Sequence, residues 1–202
     1  MPALHTVEVR WFPVTKPFPL SDYFDDSHEA AERTDWYAVP CAAGSGVKIR
    51  EGRLETKLRS TAYGQFDFTD EITGNIEMWS KWAVELEPGD SPTEAILRSA
   101  NWRSLTKLRS IRRFEICDDH VSETTDVAKS SCSFELTKLT IGGKTYWTTG
   151  FESVVLKNEP SQQSVHKLCS VVDFINQERA LPAFSADASG GYPEWLDRTL
   201  AS

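Results

Sequence analysis

Long charged side chains recur at every second residue in several segments of this chain. Glu8 and Arg10 are separated by one residue, and Lys48 and Arg50 have the same spacing. Because successive side chains of a β-strand point to opposite faces, residues two apart share a face. Arginine and lysine side chains bind anions such as phosphate, and carboxylates bind hard cations. The basic members of this in-phase set are Arg10, Lys48, Arg50, Lys57, Arg59, Lys81, Lys107, Arg109 and Arg113.

Two arrangements explain strands that are charged on one face and apolar on the other. In an open sheet or a sandwich, the charged face is solvated and the apolar face forms the core. In a closed barrel, the apolar residues can face outward beneath helices while the charges line the lumen, where they need partners. A polyanionic ligand would provide such partners. The seven tryptophans and ten phenylalanines leave a third class open, a β-barrel carrier of an apolar ligand.

The elements that carry these charges are mostly strands, so the predicted fold class is mainly β (α+β). The Gly142-Gly143 pair between two alternating segments predicts a hairpin. Helical spacing predicts a short helix over 93–101 and a longer one over 161–181. The lack of repeats and linkers predicts one domain over 1–202, with 182–202 as a docked C-terminal tail. The segments predicted as strands are 4–12, 46–50, 54–60, 79–87, 105–116, 132–141 and 144–157.

Composition argues against several classes of function. The 202 residues include 30 acidic and 22 basic side chains, and the net charge of −8 argues against a protein that wraps duplex nucleic acid. No apolar segment is long enough to predict a membrane span, and no secretory signal pattern is visible. The four cysteines lack a C-x-x-C pair and the histidines are scattered, which predicts reduced thiols in a cytoplasmic protein rather than a zinc finger.

Several segments, taken in order, resemble the CYTH, or triphosphate tunnel, superfamily. Residues 6–10 (TVEVR) resemble its N-terminal E-x-E-x-K strand. Residues 33–37 (RTDWY), followed by 47–57 (VKIREGRLETK), are similar to its R-x-D-x-Y…K-x-R-x-G-x-x-E-x-K run. Residues 107–109 (KLR) resemble a later K-x-R strand, and 147–152 (WTTGFE) resemble the closing strand that ends in a tunnel glutamate. The resemblance implies a closed antiparallel tunnel of about eight strands with flanking helices.

The resemblance also implies a function for this chain, metal-dependent hydrolysis of a triphosphate-containing substrate inside a basic tunnel, and it implies the residues of the site. Family members bind triphosphate-containing substrates, and many hydrolyse inorganic triphosphate, thiamine triphosphate or nucleotides, chemistry that depends mainly on positioning and charge neutralisation. For this chain the implied catalytic residues are Glu8, Arg10 and Lys57. The implied phosphate-binding residues are Arg10, Lys48, Arg50, Lys57, Arg59, Lys107, Arg109 and Arg113. The implied ligands of a Mg²⁺ or Mn²⁺ ion are Glu8, Glu135 and Glu152, with Glu55 and Glu85 in reserve.

Two departures from the family motif leave the enzymatic activity open. Thr6 stands where the motif has its first glutamate, which removes one anionic metal ligand. Arg10 replaces the motif lysine and changes the reach and geometry of that cation. The alternative function is therefore a non-catalytic tunnel module that binds polyphosphate or another anionic metabolite. Convergence of the basic set on one cavity would favour a small-molecule triphosphate or polyphosphate as the partner, with no role for duplex nucleic acid or membrane.

Overall fold

The computed structural model describes residues 3–17, 20, 22–24, 31–87, 97, 99, 101–118 and 120–201. The described strands are β1 (Leu4–Trp11), β2 (Ala31–Ala38), β3 (Ser45–Arg50), β4 (Arg53–Asp67), β5 (Thr73–Glu85), β6 (Trp102–Cys117), β7 (His120–Glu123), β8 (Cys132–Ile141) and β9 (Lys144–Val154). Two α-helices follow, α1 (Ser161–Arg179) and α2 (Tyr192–Ala201). Short 3₁₀ turns lie at Val127–Lys129 and Ala186–Ala188.

Eight of these strands form a closed antiparallel barrel. The strand order is β2-β3-β4-β5-β1-β9-β8-β6, and β2 pairs with β6 to close the ring. The short strand β7 extends the sheet beyond β6 and lies outside the ring. The predicted fold class, a mainly β closed tunnel with flanking helices, is confirmed. Among the described residues, no helix is both long and apolar enough to cross a lipid bilayer.

The two faces of the barrel wall differ in the way that the alternation of charged and apolar residues predicts. On β1, Val7 and Val9 are buried on the outer face, where α1 packs across β1 and β9. The outer core continues through Leu168 and Ile175 of α1, which are fully buried. Glu8, which alternates with these valines, faces the lumen. Burial of the apolar face beneath a helix therefore directs the charged side chains inward.

The C-terminal helix α2 closes one end of the barrel. Leu196 is fully buried against Leu105, Leu139 and other residues inside the ring. The ring of Trp195 stacks on Phe12, with the ring centroids 4.9 Å apart. This small second core, formed by α2 and the inner wall, makes the lumen a cavity with a closed end.

Of the elements predicted from the sequence, some are confirmed and one lies mostly outside the described residues. The Gly142-Gly143 turn links β8 to β9, with φ of +56° and +78° as a two-residue hairpin of this kind requires. The long helix is confirmed over Ser161–Arg179. Strand β2 was not predicted as an element, although its sequence supplied one of the family motifs. The predicted helix over 93–101 lies almost entirely outside the described residues.

Gly150 of β9 faces the backbone of β1 at close range. A Cβ at this position would lie 2.6 Å from the Val9 carbonyl oxygen and 3.1 Å from Arg10 Cα. We expect Gly150→Ala to lower the free energy of unfolding by about 1–3 kcal/mol, because neither backbone atom can move away easily. Urea denaturation measures the change. Gly44→Ala is the control, since its nearest neighbours are Arg59 side-chain atoms at 3.8 Å, and equal stability of the two variants would contradict the prediction.

Candidate functional site

A cavity of about 490 Å³ lies inside the barrel. Side chains from four strands bring to it six of the basic residues that the sequence singled out, Arg10, Lys48, Arg50, Lys57, Lys107 and Arg109. The three predicted metal ligands, Glu8, Glu135 and Glu152, line the same cavity. Because one lumen contains residues distant in sequence, barrel closure is what assembles this site.

At one part of the wall, Asp35 of β2 holds two lysines. Its carboxylate lies 3.1 Å from Lys107 Nζ and 3.2 Å from Lys48 Nζ, and it is fully buried. Lys107 Nζ also donates a hydrogen bond of 2.8 Å to the Tyr37 hydroxyl. Burial alone would raise the pKa of Asp35, but Lys107, Lys48 and Arg33 outweigh burial and hold that pKa at about 2. Burial lowers the pKa of Lys107 well below its ordinary value.

Next to this group, Glu135 of β8 binds two arginines. Arg10 Nη1 donates a hydrogen bond of 2.8 Å to Glu135, and Arg109 Nη1 lies 3.4 Å from its other oxygen. Thr137 Oγ1 donates a second hydrogen bond to Glu135, also 2.8 Å long. Burial would raise the pKa of Glu135, but the two guanidinium groups hold it well below its usual range. Arg10 reaches Glu135 across Gly150, the intervening residue on β9.

Elsewhere on the wall, two glutamates pair with two lysines. Glu8 and Glu152 are direct neighbours across the β1–β9 pair. Lys57 Nζ contacts Glu8, and Lys81 Nζ lies 2.9 Å from Glu152. Burial is the main influence on Lys57 and lowers its pKa to about 8. For Glu152, burial acts in the opposite direction to Lys81 and Lys57, and the two lysines hold its pKa at about 2.

The remaining predicted site residues fall into two groups. Glu55 lies in the cavity between Lys48 and Arg50, 3.0 Å and 2.5 Å from their nitrogens, so it braces both cations. Glu85, Arg59 and Arg113 are not among the residues that line the cavity. Glu85 pairs with Arg53 at 3.0 Å, and its side chain is 70% exposed. Arg59 instead contacts Glu77 and lies 4.0 Å from Glu194 of α2.

Tyr192 of α2 belongs to the site although no sequence signal identified it. Its ring centroid lies 3.7 Å from Lys107 Nζ and 4.9 Å from the guanidinium carbon of Arg10. An aromatic face stabilises cations at these distances. Asp35 and Arg33 are part of the family motif in the sequence, but no role was assigned to them. Their position on the lumen-facing side of β2 identifies them as site residues.

The described residues contain no cluster of three histidine, cysteine or acidic side chains that could hold the predicted divalent metal ion. Thr6 stands at the position where the family motif has a glutamate. Its partners on the two neighbouring strands are Trp79 and Val154, neither of which carries a carboxylate. Glu135 is held by two arginines, and Glu8 and Glu152 each contact a lysine. An ion between these two glutamates would lie beside two ammonium groups, which disfavours its binding.

The low pKa of Asp35 predicts a pH-dependent contribution to stability. Because this pKa lies at about 2 in the folded protein against an ordinary 3.8, its stabilisation is complete above about pH 4 and is lost as the pH falls towards 2. We expect Asp35→Asn to cost about 2 kcal/mol at pH 6 and much less at pH 2.5 in urea titrations. The exposed Asp67→Asn is the control. A cost that stays the same at both pH values would contradict this.

Comparisons with known proteins find similarity to solved structures but not to characterised sequences. No protein-family profile matches the sequence, and no curated protein is significantly similar to it. One similar solved structure is a Hippeastrum protein named as a candidate adenylyl cyclase and described as having a dominant triphosphatase activity, with a TM-score of 0.48, 10% identity, and coverage of 97% of this chain and 95% of that one.

Two proteins of Pyrococcus horikoshii OT3 are also similar. The PH1819 protein has a TM-score of 0.46 and 11% identity, covering 96% of this chain and 99% of that one. The PH1012 protein has a TM-score of 0.46 and 9% identity, covering 94% and 98% respectively. At these identities we base the functional proposal on the tunnel residues themselves. The eight-stranded closed ring with its charged lumen is the closed antiparallel tunnel architecture that the sequence resemblance implies.

Proposed function

We propose that this protein binds a small molecule carrying a triphosphate or longer polyphosphate group inside the tunnel. The observation that carries the proposal is the convergence of the in-phase basic residues on one cavity. Together with Arg33, Arg53 and Lys81, nine basic side chains of the described residues line it, against four carboxylates once Glu55 is included, and the buried Asp35 that pairs with Lys48 and Lys107 adds a fifth. The resulting excess of four positive charges compares with the roughly four to five negative charges of a triphosphate near neutral pH.

Unused hydrogen-bond donors on the wall support an anionic ligand. The Nε atoms of Arg10 and Arg50 are buried and have no hydrogen-bond partner within the described part of the chain. A buried donor without a partner is costly, and a phosphate oxygen would satisfy it. The Arg109 side chain is 31% exposed on the lumen side of its ion pair with Glu135. These arginines offer planar donor sets that match phosphate geometry.

The character of the wall does not support the third class, a carrier of an apolar ligand. Such a carrier would place apolar side chains on the concave side. Lys48, Arg50 and Lys57 instead point into the lumen, while the apolar partners of the same strands lie on the outer face. Most of the described aromatic residues pack in the outer core and the α2 core, as aromatics do in any packed protein.

Hydrolysis of the bound phosphoanhydride is a second candidate function, and the position of Glu8 favours it. Its carboxylate lies in the wall of the cavity, beside Lys57 and across the strand pair from Glu152. A carboxylate beside a phosphate chain can orient an attacking water, while neighbouring cations neutralise the charge that develops. The family resemblance supports the same reaction.

The binding proposal is tested by titrating inorganic tripolyphosphate into the protein in a calorimeter. We expect Arg50→Gln to weaken binding by about tenfold or more, because one charge-assisted phosphate contact contributes roughly 1.5–3 kcal/mol. The matched control is Arg198→Gln on the exposed side of α2, whose side chain is 62% exposed and which we expect to bind normally. Absence of heat with tripolyphosphate, pyrophosphate and ATP in the folded wild-type protein would overturn the proposed function.

The hydrolysis candidate is tested separately by phosphate release from a panel of triphosphates. Glu8→Gln should lower the rate by about 100-fold or more while tripolyphosphate still binds, because glutamine keeps the shape of the side chain and loses the base. Glu85→Gln, on the exposed ion pair with Arg53, should leave the rate unchanged. A wild-type protein that binds every member of the panel and releases no phosphate would contradict hydrolysis and leave binding intact.

A further inference from the structure

We propose that Lys57 and Lys81 take the place of a divalent cation in this tunnel, so that protein side chains alone neutralise the bound polyphosphate. This inference rests on the proposed function, because it specifies how the charge of the proposed ligand is balanced. It concerns a different question, however, since a metal-dependent and a metal-independent tunnel would both bind polyphosphate.

The two lysines and two glutamates form one compact group. Lys57 and Lys81 are direct neighbours across the β4–β5 pair, and Glu8 and Glu152 are direct neighbours across the β1–β9 pair. Each lysine contacts one glutamate, and all four side chains line the cavity. The ammonium groups therefore occupy the space beside the two carboxylates in which a bridging metal ion would have to lie.

No further carboxylate in the described wall is left to hold an ion at this group. Glu77 is the neighbour of Glu8 on β5, but Arg59 Nη1 and Trp79 Nε1 both donate hydrogen bonds to it. Thr6 lies two residues before Glu8 on β1. Among the described residues its buried hydroxyl has no hydrogen-bond partner, and its partners on the two neighbouring strands are not acidic. Each acidic group near Lys57 and Lys81 is thus already neutralised by the protein.

The lysines can contact phosphate without releasing the glutamates. An ammonium group has three N–H donors, and the hydrogen bond from Lys81 to Glu152 uses one of them. Lys57 Nζ also lies 4.3 Å from the centroid of the Trp79 ring, which holds the cation in place from one side. Pairing with Glu8 and Glu152 thus positions the two ammonium groups, and their remaining donors stay available to a ligand.

The net charge of the cavity is consistent with binding in the absence of metal. With Asp35 counted, its excess of four positive charges already matches a triphosphate, so a bound divalent ion would leave the complex with surplus positive charge inside a closed wall. We therefore expect the metal-free polyphosphate, rather than its Mg²⁺ complex, to be the species that enters the tunnel.

The deciding experiment is calorimetric titration of tripolyphosphate into the EDTA-treated protein, with and without excess Mg²⁺. We expect binding in EDTA that Mg²⁺ weakens several-fold, because Mg²⁺ sequesters the free ligand. Binding that is absent in EDTA and restored by Mg²⁺ would overturn this inference while upholding the proposed function. No binding in either condition would overturn the proposed function as well, so the two failures are distinguishable.

Variants test whether the two lysines are responsible. In the double variant Lys57→Gln/Lys81→Gln we expect binding in EDTA to fall by tenfold or more, and Mg²⁺ then to strengthen it because Glu8 and Glu152 are freed. The control is Lys138→Gln on the exposed outer face of β8, which should behave as wild type. Wild-type affinity of the double variant in EDTA would contradict the inference.

A direct readout of metal is independent of ligand binding and of activity. Mn²⁺ titration followed by electron paramagnetic resonance should show no tight site in the wild-type protein and a new site in the double variant. The Lys57→Arg/Lys81→Arg variant keeps both charges and should lack the site, which separates charge from fold. A tight Mn²⁺ site in the wild-type protein would overturn the inference.

Discussion

The structure depends on pairing every carboxylate that the closed wall removes from water. A buried ion without a partner is costly, and removing one member of a buried pair leaves the other uncompensated. In this barrel Asp35, Glu135, Glu8 and Glu152 each lie within contact distance of one or more lysine or arginine nitrogens. The basic side chains exceed the acidic ones, and that surplus is what the proposed anion would contact. Fold stability and the proposed ligand recognition therefore rest on one charge arrangement.

This arrangement is possible because the larger of the two cores lies outside the ring. Strands such as β1 bury their valines under α1 rather than in the centre of the barrel, and Phe134 stacks on Phe151 in the same outer layer, with centroids 4.3 Å apart. The hydrophobic effect thus stabilises the wall from its outer side. The interior of the barrel can therefore hold charged side chains, which would weaken an ordinary apolar core. The helix α2 closes one end of the barrel through a small apolar contact.

The sequence was sufficient to predict which face of each strand carries the charges, because alternation with a period of two is a local property. It was insufficient to predict how far along the tunnel axis each side chain lies, because that position depends on strand tilt and stagger. Arg59 and Arg113 share their phase with lumen residues, yet neither lines the cavity. Arg59 keeps the register of Lys57 on β4 but contacts Glu77 and approaches Glu194 of α2, contacts that the residue pattern does not indicate. Tyr192 could not be found either, because only tertiary packing brings α2 to the cavity.

Tyr192 also has a consequence for the order in which the site becomes complete. It contacts Arg10, so residues from opposite ends of the described chain meet at the closed end of the lumen. The contact needs both the ring, in which β1 pairs with β5 and β9, and the docked helix α2, which carries Tyr192. The closed end of the cavity is thus complete only when α2 is in place. A chain that has formed the ring without docking α2 has an open-ended pore in place of a site.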